Sequence, residues 1–200
     1  MAGALLVLSG PSGCGKSSLV NEILKEEKEV YFSISTTTRE IREGEQEGIN
    51  YFYVSKEEFQ KGIEEGEFLE WAKVHGNYYG TSIKPVKEAL KQGKLVIFDI
   101  DVQGHEIVQQ KFPLLTTSVF ITTPTIEELK KRLTKRATDD EQTIEKRLIN
   151  AKEEIKRADE YEFFIINDDF SKALEELKSI IKVAKIKKPL EELKTFIKNW

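Results

Sequence analysis

A three-layer α/β sandwich around a parallel sheet is the fold this sequence predicts, and three observations carry the prediction. Five apolar runs of strand length recur: Ala4 to Leu8, Val30 to Ile34, Leu95 to Phe98, Val119 to Ile121 and Phe163 to Ile166. They are continuous rather than alternating, which suits strands covered on both faces. Segments with helical spacing lie between them, and strands alternating with helices imply parallel βαβ units. The first run also passes straight into a glycine-rich turn and then a helical stripe, an order that places the turn at the carboxyl edge of the sheet.

That turn reads GPSGCGKS over residues 10–17 and matches G-x-x-x-x-G-K-[ST]. Glycines at 10, 13 and 15 let successive amide hydrogens converge on one point, and the positive end of the following helix adds to them. A polyphosphate fits there. Gly10, Pro11, Ser12, Gly13, Cys14, Gly15, Lys16, Ser17 and Ser18 are the residues expected to cradle such a polyphosphate. Lys16 supplies a point charge to its β and γ phosphates, and the Ser17 hydroxyl is placed to ligate Mg²⁺. The stripe Leu19, Val20, Ile23 and Leu24 then packs the helix on the sheet.

Residues 35–83 break the alternation. They hold short aromatic stretches (Tyr51 to Val54, Phe68 to Trp71), a capping box from Ser55 to Glu58 ahead of Phe59 and Ile63, and glycines at 44, 48, 62, 66, 76 and 80. A small mixed insertion on the main sheet is expected. The strand run LVIFDID ends in Asp99 and Asp101, which alternation would put on one face at the carboxyl end, where α/β sheets bind ligands. A Thr125 to Glu128 capping box precedes Ile126, Leu129 and Leu133. Ser171 is placed to cap a helix carrying Leu174, Leu177, Ile181 and Ala184. Pro189 separates that helix from a last one with Leu190, Leu193, Ile197 and Trp200.

Two hundred residues, 39% of them hydrophobic, supply one core. The formal net charge of −4 argues against a general affinity for nucleic acid or anionic membrane, so anion binding has to be local. The lysine-rich end, 182–198, fits a solvated helix face. One cysteine, Cys14, excludes an intramolecular disulfide and suits a reducing compartment. No apolar run approaches the roughly 18 residues of a membrane span, and ALLVL is too short for a signal peptide, so a cytoplasmic location is expected. The sequence does not choose between a monomer and a homo-oligomer.

Arg39 and Arg42 lie three apart in TTTREIREGEQEGINYF, and two guanidinium forks can chelate a phosphate monoester. The charge spacing alone fits equally well a surface loop with these arginines paired to Glu40, Glu43 or Glu45. A wider pattern favours the phosphate. GPSGCGKSS, STTTREIREGEQEGINYFYVSKEEF, GEFLEWAKVHGNYYGTS, VIFDIDVQG, KKRLTKRATDDEQTIEKRL and IINDD follow one another in an order and at spacings that resemble the guanylate kinase family over nearly the whole chain.

The resemblance implies transfer of the γ-phosphoryl group of ATP to GMP, and to dGMP, on a P-loop core (1–34 and 84–200), with a GMP-binding insertion (35–83) and a helical lid (125–150). It implies that Arg39, Arg42, Tyr51 and Tyr79 surround the GMP phosphate, and that Ser35, Glu70, Thr81 and Asp101 surround guanine. Chemistry agrees with that assignment. Guanine presents donors at N1 and the 2-amino group that one carboxylate can take together, whereas adenine offers a lone pair at N1; such a mismatch costs on the order of 10⁴-fold. Asp99 resembles the acid that holds the magnesium shell. Arg132, by the same resemblance, lies near adenine with Asn167, while Arg136 and Arg147 close on the phosphates. Lys16, Arg39, Asp99, Arg136 and Arg147 are thus the expected catalytic set.

The acceptor oxygen belongs to a phosphate whose second pKa is about 6, so no general base is required. His75 and His105 are accordingly expected to be incidental, and a zinc site is not expected. Charge spacing alone would also fit surface ion pairs of the lid arginines with Glu128 and Asp140. Two rival functions share the fold: a non-catalytic interaction domain, which intact Lys16 and Ser17 argue against, and a kinase for another mononucleotide, which Glu70, Ser35 and Thr81 argue against.

Overall fold

The computed structural model describes residues 3–74, 76–135, 140–187 and 190–199. Strand β1 (Ala4–Ser9) is buried at all six positions, and a strand with no wet face belongs at the middle of a sheet. It is flanked by β7 (Leu95–Asp99) and β8 (Thr116–Thr122), with β2 (Val30–Phe32) and β9 (Phe163–Ile166) outermost, every pairing parallel. Alternate residues of β1 serve two cores. Leu6 and Leu8 pack with Leu19, Val20 and Ile23 of α1 (Lys16–Glu26) and with Ala173, Leu177 and Ile181 of α7 (Phe170–Ile186). Leu5 and Val7 pack on the other face with Val86 of α3 (Ile83–Lys91), Val108 of α4 (Val102–Lys111) and Leu69. Burial of each such side chain contributes about 2 kcal/mol, which fixes β1, and with it the loop that follows.

A second sheet is drawn wholly from residues 36–82: β4 (Phe52–Tyr53), β3 (Thr36–Thr37), β6 (Asn77–Ser82) and β5 (Phe68–Val74), in that order. β3 runs parallel to β4, and the other two pairings are antiparallel, so the sheet is mixed as expected. Helix α2 (Lys56–Glu64) has the predicted capping box, Ser55 and Glu58 each bonded to the other's backbone N–H. Phe59 stacks between Phe68 and Tyr78. Leu69 of β5 reaches into the core of the main sheet and keys the two sheets together.

Four local expectations need correction. β9 is an edge strand, with Phe164 and Ile166 each 49% exposed; its continuous apolar run does not have both faces covered. β2, the other edge, ends at Phe32 rather than Ile34 and is only half-buried. Asp169, not Ser171, caps α7, its carboxylate accepting from Lys172 N–H at 2.9 Å. The strand before α4 stops at Asp99, and Asp101 caps α4 by accepting from Gly104 N–H at 2.9 Å, so the two aspartates do not share a strand face. A chain leaving a strand for a helix N-terminus loses the two-residue alternation at once.

Helices α5 (Ile126–Lys135) and α6 (Glu141–Glu154) follow β8, and a 3-10 helix (Ile155–Glu160) leads into β9. Thr125 accepts from Glu128 N–H at 3.2 Å, while the Glu128 carboxylate turns to Arg132. The last helix, α8 (Leu190–Lys198), leaves Phe196 and Ile197 about 60% exposed. Trp200 and the side chains of Leu190 and Leu193 lie outside the described residues, as do Pro189 and His75.

Candidate active site

The loop after β1 turns on glycine. Gly10, Gly13 and Gly15 have φ of 139°, 94° and 99°, a region other residues enter only with strain. A Cβ on Gly10 would lie 1.9 Å from the Ile121 carbonyl oxygen of β8, and one on Gly15 would lie 2.3 Å from Asn167 Nδ2. Gly15 is the N-cap of α1, which aims the helix's positive end into the loop. Lys16 folds back over it, donating to the Gly10 carbonyl at 2.6 Å, with Asp99 at 3.8 Å. Burial alone would lower the Lys16 pKa, but Cys14, Asp99, Glu154 and Tyr51 outweigh it, and the value is raised. The ammonium is therefore charged at every relevant pH. Cys14 turns its side chain into the core, and burial pushes its thiol up, so it contributes backbone to the loop and no reactive sulfur.

Two distant side chains hold this loop. Asn167, 3% exposed at the end of β9, donates to the Cys14 carbonyl at 2.7 Å. Arg147 of α6, 8% exposed, donates to Ser12 Oγ at 2.8 Å. Arg132 makes the ion pair that charge spacing allowed, with Glu128 at 2.9 Å, whereas Asp140 caps α6. Arg136 lies outside the described residues. Ser17 and Ser18 are exposed on the first turn of α1. Ser17 and Asp99 offer oxygen donors, and no cluster of three acidic, histidine or cysteine ligands occurs among the described residues. That sparse oxygen set fits Mg²⁺, which binds through one or two side chains plus substrate phosphates and water.

The second sheet gathers a different cluster, of cationic and phenolic side chains. Arg39 lies over Tyr51, 5.3 Å from the ring centroid, and Tyr51 meets Tyr79 edge to face at 5.9 Å. Arg39 Nη2 also donates to both Glu45 carboxylate oxygens, at 2.8 and 2.9 Å. The same carboxylate accepts from the Arg42 backbone N–H and from Tyr53 Oη. Burial raises the Glu45 pKa, but these three donors more than offset it and leave the carboxyl below its usual range. Of the alternatives that charge spacing allowed, the ion pair is present in the structure, between Arg39 and Glu45. Charge spacing offered Glu45 as one of three partners, with Glu40 and Glu43, and a loop separation of six residues does not single it out; the structure does. Burial pushes Tyr51 up to about 12, with Asp99 and Tyr79 adding and Arg39 and Lys16 opposing. Tyr51 thus feels both the loop lysine and Asp99, and the cluster adjoins the loop.

Ser35, Glu70 and Thr81 are all buried nearby, and Glu70 is the cross-strand partner of Thr81 in β5 and β6. Burial drives the Glu70 pKa up to about 7, Asp101 pushes it further, and Thr81 and Lys111 hold it down. An acid in so dry a place has been put there to meet donors. His105 stacks on Tyr161 at 3.9 Å, away from these groups, and burial lowers its pKa.

A family model described as Guanylate kinase matches residues 2–184. The chain belongs to the guanylate kinase family. It is 56% identical over 198 residues to a guanylate kinase of Sulfurimonas denitrificans, covering 99% of this chain and 96% of that protein. It is 55% identical to one of Wolinella succinogenes, covering 99% and 92%. Among solved structures, guanylate kinase from Anaplasma phagocytophilum superposes with a TM-score of 0.77 at 31% identity, over 93% of this chain and 88% of that one. The α/β fold with its parallel core sheet and second mixed sheet is that of the family.

Proposed function

We infer that the protein is an enzyme that transfers the γ-phosphoryl group of ATP to GMP, giving ADP and GDP. Membership of the family supports the reaction, and one feature of the geometry supports it independently: the Arg39–Tyr51–Tyr79 cluster adjoins Lys16 and Asp99. Two anions held side by side, one by backbone and one by cationic and phenolic side chains, put a nucleophilic oxygen and a γ-phosphorus in line. Residues 35–83 hold GMP, with its phosphate on Arg39, Arg42, Tyr51 and Tyr79 and guanine among Ser35, Glu70, Thr81 and Asp101. Residues 125–150 act as the lid, Arg147 and Arg136 following the phosphates and Arg132 and Asn167 the adenine end.

The loop amides and Lys16 compensate the charge that spreads over the transferring group in a loose transition state. Ser17 and Asp99 would hold Mg²⁺, which would supply charge neutralisation for the transferring phosphoryl group. Asp99 is raised by burial and opposed by Lys16. A lid that excludes water protects ATP from hydrolysis. A cytoplasmic site of action fits a chain with one buried free cysteine and, among the described residues, no helix long and apolar enough to cross a membrane. The deciding assay is coupled ADP release from MgATP with GMP, dGMP, AMP, CMP and UMP. GMP is expected to lead, dGMP to follow, and AMP to fall about 10³-fold or more in kcat/KM. Equal turnover of AMP and GMP would refute the guanine assignment.

A further inference from the structure

Helix α4 runs beneath strand β5 and touches it at both ends. At its first turn, a Cβ on Gly104 would meet Glu70 Oε2 at 2.8 Å, so the carboxylate lies against the helix backbone. At its last residue, Lys111 Nζ donates to the Leu69 carbonyl at 2.6 Å. Gly104, Val108 and Lys111 are four and three apart and share one helical face, and Val108 packs with Leu69 in the core between the two contacts. The carbonyl that Lys111 holds belongs to the peptide linking Leu69 to Glu70. That bond spans the main domain and the second sheet, since its ends are 42 residues apart.

We propose that Lys111 is a positioning residue for guanine selection: it fixes the Leu69–Glu70 peptide against α4 and adds a positive charge on the side of the Glu70 carboxylate. The inference rests on the assignment of Glu70 to guanine. The groups facing Glu70 are Thr81 on β6, Asp101 at the start of α4 and Lys111 at its end. Asp101 is an anion that disfavours the Glu70 carboxylate, and its own oxygens are engaged with Gly104 N–H and Gln103 Nε2. Lys111 is the cation in that set. It sits at a helix C-terminus, where a positive charge is also favoured by the dipole. Without it, Thr81 alone opposes burial and Asp101, and the carboxyl holds its proton to higher pH. A protonated acid can accept from only one of guanine's two donors.

The test compares pH profiles of kcat/KM for GMP in wild type, Lys111→Met and Lys111→Arg, with the KM for ATP at saturating GMP measured alongside. The phosphate of GMP titrates near pH 6 in all three proteins, so it cancels in the ratios. Lys111→Met is expected to move the acid limb upward by about half to one pH unit, a loss of roughly 3- to 10-fold at pH 6 that shrinks below about twofold at pH 8.5. Lys111→Arg should retain the wild-type limb. An unchanged profile, or a loss of the same size at every pH, overturns the proposal. Lys111 is exposed on the surface, and a variant that unfolds nevertheless is read through Lys111→Gln. Glu70→Gln keeps the two ideas distinct. If it leaves GMP over AMP selectivity intact, the guanine assignment fails; if it abolishes selectivity while Lys111→Met behaves as wild type, only the role of Lys111 fails.

Discussion

The phosphate loop and the acceptor sheet, each proposed to take a phosphate, are made of opposite materials. The loop presents backbone amides from one contiguous stretch, shaped by three glycines at positive φ and seated on the most deeply buried strand. The acceptor site presents side chains gathered from β5, β6 and the long connection before β4, on a sheet whose strands β3 and β4 are two residues long. Amide donors are set by the fold and need no further orientation. Side-chain donors need something to hold them, and here Glu45 and the tyrosine cluster serve. It follows that damage to the loop should remove the reaction, whereas damage to the acceptor site should act in steps, first on affinity and selectivity.

Lys16→Ala gives the largest expected effect. Removing the one charge that the loop adds to its amides should lower kcat by about 10³-fold, with only a few-fold change in GMP affinity. Stopped-flow ADP release and GMP calorimetry measure the two separately. A kcat within tenfold of wild type would mean that the amides alone carry the transition-state charge, and the contrast between the regions would be sharper than drawn here.

Glu45→Ala comes next. The carboxylate is pinned by the Arg42 backbone N–H and Tyr53 Oη, so it braces Arg39 instead of following it. Its removal frees the guanidinium to rotate, and the KM for GMP should rise about 10- to 50-fold while the KM for ATP stays put. Tighter GMP binding in the variant would break the comparison: Glu45 would then be a competitor that substrate phosphate has to displace.

The same contrast explains what could be read from the sequence. The loop was legible because a backbone cradle needs glycines at fixed, adjacent positions between a strand and a helix. The core strands were legible as apolar runs, with errors at the sheet edges, where Phe164 and Ile166 remain apolar but half-exposed. Asp101 was misplaced because local alternation cannot see a helix cap begin. The acceptor site was not legible from spacing. Glu70 and Thr81 meet through strand register, Arg39 and Glu45 through a loop fold, and Arg147 reaches Ser12 across 135 residues. For Glu70, Thr81 and Arg147 only the order of whole sequence blocks, a family property, pointed to the site before the structure did, while charge spacing offered Glu45 as one of three partners for Arg39.

The smallest effect tests whether the acceptor site carries a standing cost before any ligand arrives. Glu70 has its folded-state pKa raised from 4.5 to about 7, chiefly by burial. The folded protein therefore keeps a proton that the unfolded chain has already lost, and between those values stability falls as pH rises. The contribution is intact below about pH 4.5 and lost as pH passes 7. Glu70→Gln has no proton to lose, so its stability relative to wild type, from urea titration without nucleotide, should improve by about 1–2 kcal/mol between pH 5.5 and 8. GMP should reverse the trend in wild type, because guanine's two donors recruit the ionised carboxylate and binding below pH 7 releases a proton. A difference that is flat with pH would mean that Glu70 is already ionised in the free enzyme, and selectivity for guanine would then owe nothing to a buried acid waiting for its partners.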